Sequence, residues 1–88
     1  MSYEAERLRE QTETRFECRA TLEHVIAVES PSDRHVTLSV HVFRLNDHPI
    51  TRRAYAWEDE GRFFAMQHGW FIQSPKDAVK EASAGTAF

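Results

Sequence analysis

The clearest two-residue alternation of hydrophobic and polar positions in the chain runs through residues 36–43. Val36, Leu38, Val40 and Val42 occupy one phase, with Thr37, Ser39, His41 and Phe43 on the other. That period of two predicts a half-buried strand. A second run starts at Thr14, where Phe16, Cys18, Ala20 and Leu22 alternate with Glu17, Arg19, Thr21 and Glu23. Past His24, which falls on the apolar phase, the stretch VIAV is apolar on both phases. SPSDR then supplies turn chemistry through Ser30, Pro31 and Asp33. Paired as a hairpin, these strands set Val28 against Val36, Ile26 against Leu38 and Leu22 against Val42. Phe16 and Cys18 fall on the same face, and Glu23 stands opposite His41.

A second hairpin follows the break at NDHP. In RRAYAWEDEGRFFAMQHGWF, residues 52–71, two apolar arms flank an acidic turn in which Gly61 suits the left-handed position after a type I turn. This pairs Trp57 with Phe63, Tyr55 with Ala65, Ala56 with Phe64 and Ala54 with Met66. One face then carries Tyr55, Trp57, Phe63 and Ala65. Neither arm confines its large side chains to that face.

Helical spacing appears at both ends. Residues 2–13 have Ser2 as an N-cap and the pairs Glu6–Arg9 and Arg9–Glu13 at helical separation. Only Tyr3, Ala5 and Leu8 give this helix an apolar side, so residues 1–13 are expected to fray. At SPKDAVKEA, Ser74 caps, Pro75 takes the first helical position and Asp77 favours the positive end. Ala78, Val79 and Ala82 form its inner stripe, Gly85 stops it, and 85–88 read as a tail. The fold class is α+β: an antiparallel sheet of about four strands in two hairpins, a C-terminal helix and an N-terminal one, in a single domain over 1–88.

Area arithmetic raises a question. Four strands of nine residues span roughly 19 by 30 Å, about 570 Å² per face. Each helix shades about 150 Å². Even together the helices leave hundreds of square ångströms, where the largest apolar patch of an isolated monomer is typically on the order of a few hundred. The expectation is one of three: the hairpins curl over each other, a second copy covers the face, or another macromolecule docks there; two-fold pairing is the commonest oligomeric solution.

Composition narrows the classes. Hydrophobic residues at 41% and charged ones at 28% describe a globular chain, not a disordered one. With 88 residues it buries only about 60–65% of its unfolded surface. A net charge of −3 gives no general nucleic-acid footprint. A single cysteine, Cys18, excludes an internal disulfide framework and fits a reducing cytoplasm. No apolar run reaches the roughly 20 residues of a membrane span, and MSYEAERLRE is charged where a signal peptide would be apolar. A cytoplasmic location is the expectation.

Candidate chemistry is thin. The five histidines show no H-x-x-H or H-E-x-x-H spacing, and no C-x-x-C, P-loop, G-x-G-x-x-G or G-x-S-x-G occurs. No metal, cofactor or catalytic set is therefore predicted. His24 reads as a buried imidazole with a backbone partner, or as a residue turned outward by a bulge. Cys18 reads as a small buried hydrophobe. Glu58, Asp59 and Glu60 form a solvated hairpin tip. The arginines near the aromatics are different, because Arg, Trp and Tyr are enriched at protein hot spots. The same combination stacks and neutralises single-stranded nucleic acid.

The segment AYAWEDEGRFFAMQHGWFIQSPKDAVKEA resembles the ββ…α ending of HicB-type antitoxins, where a strand pair and a G…S/T-x-x-x-A helix start recur. The likeness covers about a third of the chain. QHGWFIQ lacks the aspartate- and proline-rich loop of that family, so no functional residue carries over.

The reading is a non-catalytic binding module, an accessory subunit or small inhibitor protein, acting as a homodimer or by docking a protein partner. Its partner-binding residues are Arg53, Tyr55, Trp57, Arg62 and Phe63. On this reading Trp57→Ala weakens association and leaves the fold intact. The alternative is a single-stranded nucleic-acid binder using Arg52, Arg53 and Arg62.

Overall fold

A computed structural model of the chain describes residues 2–85. Helix α1 runs over Tyr3–Phe16, with the Ser2 hydroxyl accepting the Ala5 N–H at 3.1 Å. Arg9 bridges Glu6 at 3.9 Å and Glu13 at 3.2 Å on the outer side. Its buried side is Ala5, Leu8 and Thr12, and Phe16, the next residue at that spacing, packs against the same cluster as Leu8. Phe16 satisfies both a helical and a strand period, and packing selects the helix. The strand expected from Thr14 therefore begins at Arg19 instead. Glu17, at φ 53°, ends α1 in the left-handed region.

Strands β1 (Arg19–Glu29), β2 (Thr37–Asn46), β3 (Arg53–Asp59) and β4 (Arg62–Gln67) form one antiparallel sheet in the order β1-β2-β3-β4. Helix α2 (Pro75–Gly85) follows, with the Ser74 hydroxyl accepting the Asp77 N–H at 3.1 Å. Residues 86–88 of the expected tail lie outside the described residues. The fold is thus α+β with two hairpins and a helix at each end.

Both hairpin registers differ from the sequence reading. Val28 pairs with Leu38, Ile26 with Val40 and His24 with Val42. Val36 is spent on closing the loop, where its carbonyl accepts the Ser30 N–H at 2.9 Å. A bulge between Leu22 and His24 then shifts the pairing, so that Leu22 meets Phe43 and Ala20 meets Leu45. One extra residue reverses the face of everything before it. Cys18, Ala20 and Leu22 consequently join Phe43 and Leu45, not Val28 and Val42. The second hairpin closes on a two-residue turn with positive φ at Glu60 (52°) and Gly61 (78°). This is the I′ geometry that matches strand twist. It pairs Trp57 with Phe64, Tyr55 with Met66 and Glu58 with Phe63.

The helices lie on opposite faces of the sheet. Beneath α1 sit Ala20, Phe43, Leu45, Ala54, Ala56 and Ala65, whose small members make room for Leu8. Against α2, through Ala78 and Val79, sit Val28, Leu38, Val40, Val42, Tyr55 and Trp57. The central strands β2 and β3 are therefore buried on both faces, residues 40–43 and 54–57 without a break. Strands covered on both sides read as continuous apolar runs, which answers why the second hairpin keeps large residues on both phases.

Candidate docking surface

The five residues singled out for partner binding do not share a surface. Tyr55 and Trp57 are each only 2% exposed, beneath α2. Phe63 is half-buried on the opposite face, against the α1 cluster. The one-residue difference in hairpin register separates it from Trp57 and puts Phe64 in its place, stacked on the Trp57 ring at 5.4 Å between centroids. Arg53 and Arg62 are exposed. Arg53 is paired with Glu23 at 3.1 Å, and Arg62 lies 5.6 Å from the centre of the Phe64 ring. Stacking of bases needs open aromatic faces, and Tyr55 and Trp57 offer none.

Several polar groups inside the fold are engaged with one another or with the backbone. His41 is 2% exposed, with Nδ1 at 3.0 Å from the Ser39 carbonyl and Nε2 at 3.8 Å from Glu4. The register sets it opposite Val25 and not Glu23. His24 is exposed next to the bulge. Sequence inspection misses the contact between Tyr55 and His68, whose phenol oxygen and Nδ1 lie 2.9 Å apart. Burial holds the Tyr55 phenol above its ordinary value, outweighing the opposing pull of Arg53. Burial likewise raises the Cys18 thiol, helped by the negative charge of Glu13 and Asp47. A raised thiol is mostly protonated near neutrality and so a weak nucleophile. Among the described residues no three His, Cys, Asp or Glu side chains gather as metal ligands would, and no helix is long and apolar enough to cross a membrane.

What remains open lies at the sheet margin. Strand β1 is an edge, hydrogen-bonded only to β2. Its residues from His24 to Ala27 are exposed on both faces, with Val25 at 51% and Ile26 at 41%. At the start of the strand the Glu13 carboxylate takes the Ala20 N–H at 2.9 Å, closing that part of the edge. Beyond the bulge, among the described residues, no side chain does the same for the backbone from His24 to Glu29. Beside this bare edge runs a groove of about 740 Å³ between β1 and α2. Ile26, Val28 and Val79 form its apolar wall, and Arg34, Lys76 and Lys80 stand along it.

A second apolar feature sits at the far end of the sheet. Trp70 and Phe71, 93% and 83% exposed, occupy the tip of a turn closed by the Gly69 N–H donating to the Ile72 carbonyl at 2.9 Å. The Thr51 hydroxyl, 3.1 Å from the His68 carbonyl, ties this turn to the loop bearing exposed Ile50.

No protein-family profile, curated protein or solved structure matches this chain.

Proposed function

We propose that this chain is a non-catalytic protein-binding module that docks a partner by strand addition to the free edge of β1. One observation carries the reading: the VIAV segment is apolar on both phases, yet it lies on an edge strand with neither face of residues 24–27 covered. The same pattern in β3 belongs to a strand enclosed by two helices and two neighbours. Soluble proteins protect such edges with charge, proline or a covering element. Here Glu13 and the bulge protect one half, and the other half presents unpaired backbone flanked by Val25 and Ile26. Backbone hydrogen bonds of an added strand supply affinity, and alternate side chains supply selectivity.

The test compares wild type with the double variant Val25→Lys/Ile26→Lys. Light scattering fixes the oligomeric state of each, and affinity capture from cells of origin compares the proteins each retains. Both positions are exposed, so the variant should keep wild-type stability. Loss of the wild-type partner, or of a wild-type dimer, supports the reading. A variant that keeps both the oligomeric state and the captured set removes it.

A further inference from the structure

The geometry points to the occupant of the β1–α2 groove: an extended, acidic segment of another protein. This rests on the reading of β1 as a docking strand and adds the chemistry of what is added. The chain as a whole is acidic, with a net charge of −3. The groove reverses that balance, since its lining carries Arg34, Lys76 and Lys80 against Glu29 alone, three positive charges to one negative.

Lys76 and Lys80 are the only lysines in the chain, one helical turn apart on the exposed side of α2. None of the three cations is in an ion pair among the described residues. Two nearby acids, Asp33 and Asp77, are turned to local backbone work. Asp33 accepts the His35 N–H at 2.9 Å, and Asp77 accepts the Gln73 N–H at 3.1 Å. The first turn of α2, capped by Ser74, also lines the groove and adds its partial positive charge.

A strand added to β1 would put alternate side chains over the wall of Ile26, Val28 and Val79. On the same face it would run beside the lysines of α2. Every second residue thus favours an apolar group on the wall or an acid facing Lys76 and Lys80. A second copy of this chain fits less well. Antiparallel pairing of β1 with itself has its two-fold axis perpendicular to the sheet, so both α2 helices and their lysines share one face of the joined sheet. Like charges placed this way oppose association.

The experiment uses the full chain and three labelled octapeptides with threonine at the even positions; at the odd positions, which share one face of a strand, valine alternates with glutamate, with serine or with lysine. Fluorescence anisotropy gives the affinities, and amide hydrogen exchange shows whether residues 24–29 become protected. The glutamate peptide is expected to bind at least tenfold tighter than the lysine peptide, to protect β1, and to weaken as salt is raised. Lys76→Glu/Lys80→Glu is expected to invert that preference while leaving the unfolding midpoint near wild type. Equal binding of all three peptides with protection of β1 overturns the acidic specificity but leaves strand addition standing. Tight glutamate-peptide binding without protection of β1 marks adventitious charge pairing and overturns the inference. A concentration-dependent dimer that excludes the peptides makes the occupant a second copy and overturns it too. If no peptide protects β1 and Val25→Lys/Ile26→Lys also changes nothing, the docking reading itself is lost.

Discussion

The Tyr55 phenol and the His68 ring meet at 2.9 Å beneath α2, joining the start of β3 to the chain just after β4. The bond gives a buried hydroxyl its partner, and burial keeps the phenol protonated above its ordinary value of 10.0. In the folded state the proton is held more tightly than in the unfolded one. The associated stability is therefore complete below about pH 10 and falls as pH rises through the folded-state value. Tyrosinate absorbance during alkaline titration should show a late step that disappears in Tyr55→Phe. The variant should also lose about 1 kcal/mol by denaturant unfolding, the usual worth of one such bond.

The two tryptophans should behave oppositely. Trp57 is 2% exposed and stacked on Phe64, whereas Trp70 is 93% exposed at a turn tip. Trp57→Ala should cost about 3–5 kcal/mol, the range for emptying an aromatic site in a core. Trp70→Ala should stay within about 0.5 kcal/mol. Chemical denaturation of both variants, followed by circular dichroism, decides the matter. A mild effect of Trp57→Ala, as expected when the residue is read as a surface anchor, would contradict its place under α2.

Turn chemistry offers a gain in stability. Glu60 holds φ at 52° in the first central position of the β3–β4 turn, where a side chain without a local hydrogen bond is disfavoured. Glu60→Asn should raise stability by several tenths to about 1 kcal/mol, because Asn-Gly is the preferred pair for this turn. Gly61→Val should lower it by about 1–2 kcal/mol through backbone strain alone, since a Cβ there meets nothing within 4 Å. Shifts of the denaturation midpoint at constant m-value would check both.

The elements and their caps are legible in the sequence because they depend on local chemistry. Ser2 and Ser74 cap the helices as their positions imply, and the alternation of β2 holds from Thr37 to Val40, beyond which both phases are buried as far as Phe43. Register is less legible. The bulge between Leu22 and His24 leaves one signal, a histidine on the apolar phase, but that residue reads equally as a buried imidazole; the bulge decides which helix Cys18, Ala20 and Leu22 face. Phe63 and Phe64 are adjacent and chemically identical, so only the length of the turn determines which one stacks on Trp57. The burial of Tyr55 did leave a signal. AYAW is apolar on both phases, as a strand covered on two sides must be, and that pattern separates β3 from a one-sided sheet. Only pairing order distinguishes it from VIAV, which has the same pattern on an edge.

The underside of α1 sets a filled apolar site beside an uncompensated polar atom. Leu8 is fully buried over a floor that includes Ala54, Ala56 and Ala65. Those alanines have no longer side chains with which to refill its site, so Leu8→Ala should fall in the range of about 2–5 kcal/mol. One turn later, Thr12 is equally buried, and its hydroxyl has no hydrogen-bond partner among the described residues. Thr12→Val keeps the shape and removes the unmet group. The β-branched side chain loses little helix propensity in the exchange, while an unsatisfied buried hydroxyl costs about 1–3 kcal/mol. The variant should therefore match or exceed wild-type stability, with Leu8→Ala as the destabilised control in the same urea titration. A loss above about 1 kcal/mol in Thr12→Val would mean that the hydroxyl is satisfied after all, and that the contact between α1 and the sheet is wetter than its packing implies.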